Sequence, residues 1–228
     1  MKKLMIAILA LMLGSFTTAS AELGVNIGIT GQMGAFMASG SEHEDDEKHD
    51  DSALGAVGYG SIMLEKTLGS RLTIGLDYVP YALESESTSE LDEDWKASPV
   101  TTAAAAVTQK VQVDFEDLTT LYAAISITEN FFVKAGSVSV DVVTNESLGT
   151  GSTYPNVSLD GSMFGAGYNY NKDSGMFIRV SGQVMTFDGA TLNSTATCAT
   201  RTGTCSNNKI VLDELNGVSG GITIGKSF

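Results

Sequence analysis

Seven carboxylates and two imidazoles stand within eleven residues in Ser41-Glu42-His43-Glu44-Asp45-Asp46-Glu47-Lys48-His49-Asp50-Asp51. Such a run can bind a divalent cation. Its oxygens suit calcium or magnesium, and the imidazoles bias the set toward zinc, nickel or copper. His43, Glu44, Asp46 and His49 are the candidate ligands. Neither zinc-ligand spacing nor a glycine-punctuated calcium loop is present, and a charge run is usually a solvated segment. A second acidic run, Glu84, Glu86, Glu90, Asp92, Glu93 and Asp94, is followed by the lone tryptophan, Trp95. His43 and His49 are the only histidines, which leaves no base for a Ser-His-acid triad within the folded wall. The expectation is a protein that is not an enzyme and carries no cofactor. Thirteen basic against 27 acidic residues give a formal charge of -14, which repels polyphosphate and excludes nucleic acid as a partner.

The elements that position these groups begin after an address. Lys2 and Lys3, the apolar run Leu4 to Leu13 and the small residues Ala19-Ser20-Ala21 form a secretory signal over residues 1–21, cleaved after Ala21. Residues 22–228 remain as one domain. Export places Cys198 and Cys205, the only cysteines, in an oxidising compartment where they can close a loop as a disulfide. Beyond residue 21 no apolar stretch is long enough for a membrane-spanning helix.

Period-two alternation dominates the rest. Leu23, Val25, Ile27, Ile29 and Met33 alternate with Asn26, Thr30 and Gln32. From Val107 to Ile127 the odd positions are largely apolar and the even ones largely polar. Residues 54–65 and 131–144 carry apolar side chains on both faces, so their facing stays open, as does a bulge near Gly136. Eight strands follow, near 22–37, 53–65, 71–80, 107–127, 130–144, 160–170, 175–187 and 210–228. Short turns alternate with long polar connections over 38–52, 81–106, 145–159 and 188–209.

This asymmetry belongs to transmembrane barrels, which have short periplasmic turns and longer outside loops. In lipid every backbone N–H and C=O must pair internally, so strands cross only as a closed barrel. The fold class is all-β, an eight-stranded antiparallel up-and-down transmembrane β-barrel. Such an interior is just wide enough for its own side chains. Asp77, Lys110, Asp114, Glu116, Lys134, Arg179 and Gln183 are expected to fill it, with charges paired because an unpaired buried charge is costly.

The signal segment, the even strand count and the closing sequence Val218-Ser219-Gly220-Gly221-Ile222-Thr223-Ile224-Gly225-Lys226-Ser227-Phe228 resemble the small outer-membrane barrels of Gram-negative bacteria, the group of outer-membrane proteins A and X and the opacity proteins. The resemblance implies an integral outer-membrane protein among lipid and lipopolysaccharide, with Phe228 as the signal read by the barrel-assembly machinery. A structural or surface-interaction role is expected, for a monomer with acidic outside loops open to divalent cations. A narrow channel for small solutes and a soluble periplasmic ligand-binding barrel are the alternatives. The latter would turn its apolar residues inward.

Overall fold

The computed structural model describes residues 24–44, 47–85, 87–94, 105–147, 153–195 and 209–228. The signal segment with Ala21, Asp45, Asp46, Glu86, Trp95, Cys198 and Cys205 lie outside the described residues. The elements are β1 (Val25–Glu44), β2 (Glu47–Leu68), β3 (Leu72–Tyr78), β4 (Leu83–Glu84), β5 (Thr88–Asp94), β6 (Ala105–Ser126), β7 (Phe131–Ser147), β8 (Val157–Asn171), β9 (Met176–Phe187), β10 (Ala190–Asn193) and β11 (Lys209–Ser227). All pairings are antiparallel, and β1 pairs β11 from Asn26↔Ser227 to His43↔Lys209, which closes the sheet into a ring. Because β3, β4 and β5 all lie along β6, and β9 and β10 both lie along β11, the ring has eight staves.

The outer wall is apolar. Ile27, Ile29, Met33 and Met37 on β1, Val218, Ile222 and Ile224 on β11, and Val180 and Val184 on β9 are all exposed. From Ile27 to Met37 the strand rises about 25 Å, at ~3.3 Å per residue and a tilt of ~40°, which matches the apolar height of a bilayer. Tyr168 and Tyr170 stand exposed beside the Asn171–Met176 turn, as an aromatic girdle requires. At that turn Gly175 takes a φ of 79°, open to glycine without strain, and its N–H bonds the Lys172 carbonyl at 2.9 Å.

Two expectations need correction, and the question left open at Gly136 is answered. Residues 38–44 and 47–52 are not loop: β1 and β2 stay paired up to Glu44↔Glu47, so the described part of the first acidic run lies in paired strands rising above the apolar belt. No register shift occurs at Gly136, which pairs Tyr122 and Met163 in continuous ladders. The bulge lies across from it, in β6, where the register shifts between Glu116 and Thr119. Asp117 adopts a φ of 53° there, a conformation Asp tolerates better than most side chains. Its carboxylate accepts a bond from the Tyr78 hydroxyl at 2.8 Å, and its carbonyl accepts one from Thr119 Oγ1 at 2.8 Å.

Second, one inserted residue exchanges the two faces of a strand. Below the bulge Tyr122 and Ala124 face inward, with Lys134 opposite Ala124. Above it Phe115 and Val113 turn inward against the core, with Phe115 opposite buried Val142. Lys110, Asp114 and Glu116 therefore lie on the outer face above the belt, not in the interior. Glu116 stands opposite Asp141, and Asp114 accepts a bond from Gln112 Nε2 at 3.1 Å.

Among the described residues the wall also has an interruption. β2 pairs β3 only from Ile62↔Tyr78 to Leu68↔Leu72. Above that level the chain leaves β2 at Val79-Pro80-Tyr81, and β4 and β5 continue along β6 alone. Pro80 has no N–H to give to a ladder. The Tyr81 hydroxyl accepts the N–H of Gly60 in its place.

Candidate functional site

Small and polar residues of the lower interior make room for one charged cluster. Glu65 on β2 and Arg179 on β9 meet across the barrel in a two-pronged pair, with Nη1 to Oε1 at 2.6 Å and Nη2 to Oε2 at 3.0 Å; their side chains are 1% and 8% exposed. Both groups take further partners. Tyr122 donates to Glu65 Oε1 at 2.7 Å and Asn26 Nδ2 to Oε2 at 3.0 Å, while Arg179 Nε donates to Asn169 Oδ1 at 2.7 Å and Nη1 also meets the Met63 sulfur at 3.0 Å. The guanidinium lies 4.7 Å from the centre of the Phe132 ring and 5.5 Å from that of Phe177.

Glycines position these rings. Gly75 faces Tyr122, Gly167 faces Phe132 and Gly225 faces Phe177 in the ladders. A Cβ at any of the three would come within 2.5 Å of the facing ring, so each aromatic side chain lies flat over a neighbour without one. Around the pair, Lys134 donates to Gln183 Oε1 at 2.7 Å and sits 4.9 Å from the Tyr122 ring centre. Asp77 lies in the field of Lys134. Thr30 and Thr223 share a bond at 2.8 Å, and Gln32 donates to Ser61 at 2.9 Å. Above this polar floor the interior turns apolar, with Met163, Met185, Val138, Leu159 and Phe187 buried.

Asp77, Lys134, Gln183 and Arg179 thus share one interior cluster. Sequence reasoning missed its anion, Glu65, together with Tyr122 and Asn26. The available signal was Arg179 itself, which needs a carboxylate, and the odd-numbered set Tyr59, Ser61, Met63 and Glu65 on β2. Chemically the cluster is built around one ion pair, Glu65 with Arg179, and no imidazole or thiol is among its members.

The candidate metal ligands fare differently. His43 lies opposite Lys48, whereas His49 lies opposite Glu42, so the two imidazoles occupy opposite faces of the hairpin. His43 Nε2 is 3.2 Å from Ser41 Oγ. Lys48 pairs instead with Asp50 at 2.6 Å, which raises its ammonium above the ordinary value. No group of three or more His, Cys, Asp or Glu that could hold a metal ion occurs among the described residues.

No protein-family model matches the sequence, and no curated protein matches it. Solved structures do. The outer membrane protein OprG from Pseudomonas aeruginosa aligns over 92% of this chain and 99% of its own, with a TM-score of 0.50 and 12% identity. The outer membrane protease OmpT from Escherichia coli aligns over 93% of this chain and 99% of its own, with a TM-score of 0.44 and 10% identity. Closure, the apolar belt and the likeness to OprG together define the class: the chain is a small β-barrel of the Gram-negative outer-membrane type.

Proposed function

We propose that this chain is an integral outer-membrane barrel, not an enzyme, which is closed through its floor and serves a structural or surface-interaction role by presenting acidic hairpins. The Glu65–Arg179 pair carries this reading. A bidentate ion pair across the lower interior, backed by Tyr122, Phe132 and Phe177, supports a floor that does not conduct ions. Phe228, whose N–H bonds the Val25 carbonyl at 2.8 Å, would be read by the assembly machinery. Purified protein in planar bilayers is expected to show no steady conductance, and regular single-channel steps would refute the closed floor. The soluble alternative requires a polar outer wall, and the exposed side chains from Ile27 to Met37 and from Val218 to Ile224 argue against it.

The interruption in the wall favours a second reading, passage of small solutes by a route other than the floor. Above Ile62 the edge of β2 has no strand partner among the described residues, at the level where Gly58 faces Met33 in the apolar belt. A route there would join the apolar upper interior to the bilayer and would admit apolar molecules. Faster uptake of an apolar dye by expressing cells, with no ion conductance, would favour it over the structural reading.

The acidic hairpin should face a surface already crowded with anionic lipopolysaccharide, and divalent cations should relieve that repulsion. Calcium or magnesium at millimolar levels is expected to slow proteolysis of residues 38–52, whereas monovalent salt of equal screening does much less. Equal protection by monovalent salt would reduce the hairpin to solvated charge. Replacing Glu42, Glu44, Asp45, Asp46 and Glu47 with Ser or Asn should remove the divalent effect and leave insertion intact.

A further inference from the structure

The turn end of the barrel carries a charge pattern opposite to that of the hairpins. Arg71 in the turn from β2 to β3, Lys172 in the turn from β8 to β9, and Lys226 near the end of β11 are all exposed, and Lys66 on β2 is half-buried. They are neighbours in the ring. Lys66 lies opposite Val25, and Lys226 lies opposite both Ile27 and Met176. The Ser227 N–H bonds the Gly175 carbonyl at 2.8 Å, which ties the Lys172 turn to the end of β11, and the Thr67 N–H bonds the Gly24 carbonyl at 2.6 Å, which ties β2 to the start of β1. The four cations thus form an arc along the rim of β9, β11, β1, β2 and β3. Among the described residues the acidic side chains at this end are Asp173 beside Lys172, Glu129 in the β6–β7 turn across the rim, and Glu65, which Arg179 occupies in the interior.

The arc lies at the lower edge of the apolar belt. Ile27, Met176, Ile224 and Phe228 are exposed beside it, and the Lys226 ammonium stands 5.2 Å from the Phe228 ring centre. At that depth the aliphatic stems can lie along the apolar wall while the cationic heads reach the headgroup layer. We propose that this rim is a binding surface for anionic phospholipid headgroups, phosphate diesters of the phosphatidylglycerol kind, in the periplasmic leaflet. The choice of a lipid over a soluble anion rests on the continuity of the arc with the apolar belt, because a lipid places its phosphate at this level and its chains against Ile27 and Ile224. A rim cation near an anionic surface strengthens association appreciably, so the arc should enrich such lipids around the barrel. It would also orient the molecule, with basic turns on the phospholipid leaflet and acidic hairpins on the other.

The test uses the full barrel refolded in phosphatidylcholine vesicles doped with spin-labelled phosphatidylglycerol or spin-labelled phosphatidylcholine. The motionally restricted signal of each label gives the selectivity. The wild-type barrel is expected to prefer phosphatidylglycerol by about two-fold or more. A variant with Arg71→Gln, Lys172→Gln and Lys226→Gln should fall toward no preference. Lys110→Gln with Lys209→Gln, at the other end, should retain it, and Lys226→Arg should retain it too. Heat-modifiable gel mobility verifies that each variant is folded. Millimolar inorganic phosphate should compete no better than chloride of equal ionic strength; stronger competition would make the rim a site for free phosphate and overturn the lipid assignment. No preference in the wild type, or an unchanged preference in the triple variant, would overturn the proposal.

Discussion

Glu65→Leu is expected to destabilise the barrel by about 3 to 5 kcal/mol, because it leaves the Arg179 guanidinium buried without its counter-charge. Asn169 and the two rings remain around the cation, but none of them carries a negative charge. Arg179→Leu should cost a similar amount by stranding the Glu65 carboxylate beside Tyr122 and Asn26. The double variant Glu65→Leu, Arg179→Leu should regain more than half of either loss, since neither uncompensated charge is left. Urea unfolding in lipid vesicles, followed by the difference in gel mobility between folded and unfolded barrel, measures all three. Additive losses in the double variant would mean that the pair is not coupled, and the plug would lose its physical basis.

The wall yields the second large effect. Ile222 faces lipid midway along the belt, opposite Val180 and Gly31 in the two adjoining ladders, and its replacement by Arg should cost about 2 to 4 kcal/mol. Ile125 also faces lipid but lies two rungs from the β6–β7 turn, opposite Leu72 and Val133. Ile125→Arg should therefore cost only about 0 to 1 kcal/mol, as expected near an interface where the charge can reach water. The same unfolding measurement compares them. Equal costs would contradict the assigned membrane level, and a negligible cost at Ile222 would contradict membrane insertion of that face.

Particular residues explain which parts of this arrangement sequence alone reveals. On β9 and β11 the lipid face is bulky and apolar while the inner face holds Thr223, Ser219, Gln183 and Arg179, so alternation marks the strands and their facing. On β2 the inner face holds Tyr59 and Met63 while the outer face holds Leu54 and Ile62. Apolar side chains on both sides erase the period, and Glu65 was lost with it. The bulge at Asp117 is hidden for a subtler reason. The odd positions Val113 and Phe115 are apolar because they pack the upper interior, and the odd positions Ala123 and Ile125 are apolar because they face lipid. One unbroken odd pattern thus spans two opposite faces, which is why Lys110, Asp114 and Glu116 were expected inside. The upper parts of β1 and β2 read as loop because, above the belt, the outer face meets water and small or polar residues stand on both faces, so no alternation is imposed. Distance in sequence hides the charged floor as well, since Glu65, Tyr122 and Arg179 come from three separate staves and meet only after closure.

Fractionation of Gram-negative cells expressing the full chain tests the membrane barrel most directly. The protein should sediment with outer membranes, resist extraction by high salt and alkaline carbonate, dissolve in detergent, and change its gel mobility on boiling. Recovery from the periplasmic soluble fraction, in folded form and without detergent, would contradict it.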